Sequence, residues 1–201
     1  MFRTSSNRLA LLLLAVSVSP VLAAPGAAAS PPREDAIGDV GQAKGDIVTG
    51  TYSANFTDIY LTGFKAKVTT RQGSDPLTTG AWLNPSTGLT VQLDTDSSHT
   101  GPDLSVLAHT VDEGGLIFVA DVTDLTTTPA EPVLCTASAT FTAPHTYKVQ
   151  LGADCLPAEQ VKVRARFRMR WDQPPAGGTV TLDRSPGVGW GSLLQAPPPP
   201  P

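Results

Sequence analysis

From Ile47 onward, apolar and polar side chains alternate with period two, and Gly, Pro, Asn or Asp interrupts the alternation roughly every 8 to 15 residues. A period of two sends successive side chains to opposite faces of a pleated chain, as a strand with one buried face requires. The pattern predicts strands over residues 47–54, 59–70, 81–83, 89–94, 104–111, 116–122, 134–143, 146–151, 160–171 and 179–183, with no segment of helical periodicity. Leu116, Ile117, Phe118, Val119 and Ala120 form an unbroken apolar run, which predicts a central strand buried on both faces. Many short strands with regular turn signals imply an all-β chain, a single antiparallel β-sandwich of Ig-like general architecture spanning residues 45–184.

The flanks lack this alternation. Residues 24–44 are rich in Ala, Pro, Gly and Ser, and residues 185–201 end in Pro197 to Pro201. Neither segment has the apolar spacing that offsets the entropy of ordering, so both are expected to be flexible, with the final prolines extended as polyproline II. At the start, Arg3 and Arg8 precede an apolar stretch from Leu9 to Val18, and Val21, Leu22 and Ala23 place small residues at a cleavage site. That reads as a secretory signal peptide over residues 1–23, because the apolar run is short of the roughly 20 residues that cross a bilayer as a helix. A secreted chain with no membrane span follows as the expectation.

Composition sharpens the class. Of 201 residues, 40% are hydrophobic and 16% charged, enough apolar surface for one core. Fourteen Lys and Arg stand against eighteen Asp and Glu, a net charge of -4, so the chain as a whole offers nucleic acid no positive excess. Cleavage after Ala23 would remove Arg3 and Arg8 and take the balance to -6.

Only Cys135 and Cys155 are present, and an oxidising compartment would pair them. Cys135, Ala137, Ala139, Phe141 and Ala143 share one face of their segment, and Tyr147, Val149 and Leu151 share one face of the next. A hairpin folded at His145 would set Ala143 against Tyr147, Phe141 against Val149, Ala139 against Leu151 and Cys135 against Cys155.

The most distinctive segment is 161–171. Val161, Val163, Ala165, Phe167, Met169 and Trp171 fall on one face, and Lys162, Arg164, Arg166, Arg168 and Arg170 on the other. These five cations leave seven others to face eighteen acids in the cleaved chain, so charge is sorted in space. Acids on neighbouring strands or loops, such as Asp121, Asp124, Asp172 or Asp183, would neutralise the row as an ordinary solvated face, and charge on a strand also protects a sheet edge from aggregation. Left unpaired, the row would dock an anionic polymer or an acidic protein surface, since guanidinium grips carboxylate or phosphate with two parallel hydrogen bonds. Nucleic acid fits poorly, because Phe167 and Trp171 point to the opposite face and give bases no stacking platform.

Other chemistry is sparse. Asp94, Asp96, Ser98 and Asp103 offer oxygens in one loop, but His99 and Ser105 stand where a calcium-binding EF-hand loop needs Gly and an acid. His99, His109 and His145 share no metal-ligand spacing, and the chain carries no nucleophile elbow, zinc-protease motif or phosphate loop. The expectation is a secreted, non-catalytic binding or adaptor module with no catalytic residue, cofactor or metal. Two alternatives remain: a carbohydrate-binding module using Trp82 or Trp190, and a secreted hydrolase or protease inhibitor.

Overall fold

The structure, a computed structural model, describes residues 26–39, 42–96, 101–172, 180–187 and 189–198. Residues 1–23, expected to form a signal peptide, His99 and the last prolines lie outside the described residues.

Two antiparallel sheets pack face to face. The first contains, in spatial order, β1 (Gly26–Ala29), β3 (Ile47–Thr57), β4 (Tyr60–Thr70), β10 (Thr146–Leu151) and β9 (Ala137–Thr142), and β2 (Arg33–Glu34) also pairs with β3. The second runs β12 (Thr181–Ser185), β11 (Lys162–Trp171), β5 (Gly88–Asp94), β6 (Leu104–Asp112), β7 (Leu116–Asp124) and β8 (Glu131–Val133), and β13 (Leu194–Gln195) pairs with the start of β11. This is the all-β sandwich that the period-two alternation predicts.

The inner faces supply the core. Tyr52, Ala54, Phe56, Phe64, Ala66, Val68, Val149 and Leu151 from the first sheet meet Leu89, Val91, Leu93, Val106, Ala108 and the buried face of β11. Each such large side chain contributes roughly 1.5–3 kcal/mol by leaving water. At one end Trp82 packs edge-on against Phe118 and Trp171, with ring centroids 5.3 and 5.9 Å away, and lies 5.1 Å from Tyr147. The polar tips are satisfied there: Trp82 Nε1 and the Tyr147 hydroxyl both donate to the Ser74 carbonyl at 3.0 Å.

Several expectations need correction. Residues 81–83 form no strand; Gly80–Leu83 is a 3-10 turn that buries Ala81 and Trp82, a run too short for periodicity to decide. The apolar run in β7 is not central. It sits one strand from the sheet edge, and Ile117 is 44% exposed. The strand buried on both faces is β5, whose outward Gln92 and Asp94 are covered by arginine side chains from β11. Of segment 134–143 only Ala137–Thr142 is strand, as β9; Leu134 lies between β8 and β9, outside the core at 98% exposure. Within the flanks, residues 26–29, 33–34 and 194–195 are not unstructured but pair as short edge strands through backbone hydrogen bonds.

The hairpin keeps its faces and loses its register. Tyr147 opposes Phe141, Val149 opposes Ala139, and Leu151 opposes Ala137, so the turn centres on Pro144 rather than His145. This register brings the rings of Phe141 and Tyr147 to 5.0 Å, an aromatic cross-strand pair that the expected register would have given up. The disulfide Cys135–Cys155 forms nonetheless, with Cα atoms 5.0 Å apart. The 3-10 turn Ala153–Cys155 takes up the difference, folding Cys155 back beneath the segment that precedes β9.

Candidate functional site: a cationic face on β11

The alternation along β11 is complete in three dimensions. Val163, Ala165, Phe167, Met169 and Trp171 are buried, while Lys162, Arg164, Arg166 and Arg168 are half-buried and Arg170 is exposed on the outer face. What stands beside each cation decides what the row can do.

Arg164 is neutralised. It opposes Asp94 on β5, and its Nε and Nη2 donate to Asp94 Oδ2 at 2.8 and 2.5 Å. Arg166 opposes Gln92 and donates from Nε to Gln92 Oε1 at 2.7 Å, a hydrogen bond that leaves its charge uncompensated. Arg168 has Thr90 on one side and Arg184 of β12 on the other, so two like charges are set opposite each other across the strand pair. Directly opposed residues have Cα atoms about 4.5–5.5 Å apart, and like charges there are destabilising. Arg168 Nε is buried with no hydrogen-bond partner. Burial pulls the Arg166 guanidinium below its ordinary pKa, and the positive charges of Arg168 and Arg184 add to the effect. Arg168 is shifted downward by burial first and then by Arg184. Arg170 lies between Gly88 and Leu182, and Lys162 opposes Gln195.

The acids expected to neutralise the row are engaged elsewhere. Asp121 pairs with His109 at 2.6 Å, and Asp124 accepts from Thr126. Asp172 accepts from Asn84, and Asp183 accepts from the Ile47 and Arg184 backbone N–H groups. Asp94 supplies the one carboxylate that pairs with the ladder among the described residues.

Two members of this face escaped the sequence. Arg184 sits on a short strand whose position opposite Arg168 depends on long-range pairing. Trp190 lies in the segment between β12 and β13, where the edge strand leaves β11 and returns. Gly191 N–H donates to the Ala165 carbonyl and Ala196 N–H to the Val161 carbonyl, holding this segment at both ends. Gly191 is required, since a Cβ there would lie 2.7 Å from the Tyr52 hydroxyl and 2.8 Å from the Ala165 carbonyl. The Trp190 ring then covers Arg166 and Arg164, with guanidinium carbons 4.6 and 5.3 Å from its centroid. A ring stacked on guanidinium fixes the cation's plane while leaving its edge N–H groups available.

The remaining expectations fall as follows. Trp82 is 1% exposed and therefore core, so it offers no platform to a sugar. In the 94–103 loop, Asp103 Oδ2 accepts from Thr95 N–H, Thr95 Oγ1 and Asp96 N–H, the work of a turn-stabilising carboxylate. On the opposite sheet a groove of about 440 Å³ is lined by Lys65, Lys67 and Lys148 among Ser and Thr side chains. Lys67 and Lys148 oppose each other across β4 and β10, a second cationic surface that sequence reasoning missed because its members come from separate strands. No known protein family, curated protein or solved structure matches the chain.

Proposed function

We propose that this protein is an exported, non-catalytic binding module that holds an anionic partner, a sulfated, carboxylated or phosphorylated polymer, on the outer face of β11. Arg166, Arg168 and Arg184 are the central contacts, Lys162 and Arg170 extend the row along the strand, and Trp190 holds the plane of the Arg166 fork in one orientation. Arg164 is an anchor for the row, since Asp94 already occupies it. One observation carries the reading: Arg168 and Arg184 oppose each other with no carboxylate beside them among the described residues. Such an arrangement costs stability in the free protein, and an anion bridging the two guanidinium groups removes that cost.

The test is retention on an immobilised sulfated polysaccharide as a function of salt. The logarithm of affinity should fall linearly with the logarithm of salt concentration, as counterion release requires. Arg168→Glu with Arg184→Glu should abolish retention, while Lys67→Glu with Lys148→Glu on the opposite sheet should leave most of it. Retention that ignores ionic strength, or that both double variants reduce equally, would remove the assignment of this face.

A further inference from the structure

At the end of the sandwich where β12 meets β3, four carboxylates converge from separate parts of the chain. Asp35 and Asp39 sit at the two ends of a tight turn, Asp46 immediately precedes β3, and Asp183 lies in β12. One carboxylate oxygen each from Asp39, Asp46 and Asp183 lies within 4.8 Å of the others. Two of the three are interior: Asp46 is 0% exposed and Asp183 is 3% exposed.

The hydrogen bonds there leave oxygens over. Asp46 Oδ2 accepts from Gly38 N–H at 2.8 Å and lies 3.1 Å from Arg71 Nε, whereas Asp46 Oδ1 is buried with no partner. Gly38 reaches that position with φ of 85°, a left-handed conformation that suits glycine. Asp35 Oδ2 and Ser185 Oγ are also buried, with the Ser185 hydroxyl placed beside the Asp35 carboxyl. Arg71, itself 40% exposed, forms the cluster's one ion pair among the described residues. Burial, with the charges of Asp35 and Asp39 added, pushes the Asp183 carboxyl up to about 6. Three carboxylates served by a single Arg71 counter-charge are expensive to hold together, and the buried, unpartnered Asp46 Oδ1 is an oxygen that a cation would satisfy.

We propose that Asp39, Asp46 and Asp183 bind a divalent cation, calcium, with Asp35 and Ser185 oxygens beside it. The donor set is oxygen only, which selects a hard cation. Calcium bonds of about 2.3–2.6 Å place opposite ligands about 5 Å apart, so oxygens with these separations fit around one ion. Magnesium keeps most of its water and engages one or two carboxylates, so a cluster this rich in acid favours calcium. The site ties the 35–39 turn to β3 and β12, and it stands independently of the arginine face.

The experiment uses the full chain stripped with chelator, titrated with calcium by calorimetry and followed by thermal unfolding at pH 7.5. One equivalent should bind with a dissociation constant on the order of 10⁻⁴ M and raise the melting temperature. Asp39→Asn is the informative variant, because Asp39 is exposed and its loss spares the buried hydrogen bonds; affinity should drop at least about tenfold. Asp121→Asn, an acid elsewhere on the surface, should bind as the parent does. Absence of calcium heat and of any melting shift at about 5 mM calcium would overturn the proposal. So would unchanged binding by Asp39→Asn, or an equal shift produced by magnesium or by sodium chloride of matched ionic strength.

Discussion

Replacing Arg184 by Glu should make the protein more stable and worse at holding anions. The residue opposes Arg168 across β11 and β12, and its side chain is exposed enough to reorient without disturbing the core. Two unit charges about 6 Å apart repel by about 0.7 kcal/mol in bulk water and by about 3 kcal/mol at an effective dielectric of 20, before screening. At physiological ionic strength the Debye length is about 8 Å, which roughly halves either figure. Substituting Glu turns repulsion into attraction, so a gain on the order of 1 kcal/mol is expected, equivalent to about 2–4 °C in melting temperature for a domain of this size. The assay is urea unfolding of the parent and Arg184→Glu at about 20 mM and about 500 mM salt, with the difference between proteins taken at each concentration. The advantage of the variant should shrink at high salt, because screening relieves repulsion in one protein and weakens attraction in the other. A variant that is less stable than the parent, or an advantage that does not change with salt, would refute the electrostatic account of this strand pair.

Two further outcomes follow from the core. Burial pushes the Tyr147 phenol up to about 12, so the unfolded chain ionises first, near pH 10, and the folded state holds its proton longer. Stability should therefore fall by up to about 3 kcal/mol between pH 10 and 12, and Tyr147→Phe should remove that part of the slope; an unchanged slope in the variant would show that the phenol is not responsible. Replacing Cys135 and Cys155 together by Ser should lower stability by about 3 kcal/mol, since the bridge closes a loop across a sequence separation of 20. An unchanged urea midpoint in the double variant would contradict this.

The alternation in β11 was legible because it is local: eleven residues without an exception fix a strand with one buried face whatever its neighbours are. Its neighbours were not legible. Which acid reaches Arg164, and that Arg184 rather than an aspartate stands beside Arg168, depends on register between segments far apart in sequence. The hairpin shows the same limit at close range. A shift that changes the sum of paired positions by two preserves every face, so apolar pattern alone cannot distinguish the expected pairing from the observed one. Burial misled in both directions: an apolar run marked β7 as central although Ile117 meets solvent, while Gln92 and Asp94 are buried beneath arginine stems. Short edge strands such as β1 left no pattern, because four residues of Gly and Ala pair through the backbone with little side-chain contribution. Asp46 and Asp183 carried no signal either, since an acid in a sequence reads as surface unless its partners are known.

The distribution of charge over the sandwich has a consequence for how the molecule meets other bodies. Lys65, Lys67 and Lys148 stand on one broad face and Lys162 with the β11 and β12 arginines on the other, while many of the acids lie at the ends and turns. A monopole of -4 therefore describes the protein only from afar, where a small cation or an anion-exchange resin would register an acidic particle. Within a Debye length of an extended polyanion, the molecule presents itself broadside as a positive plate, so its isoelectric point is a poor guide to what it adheres to.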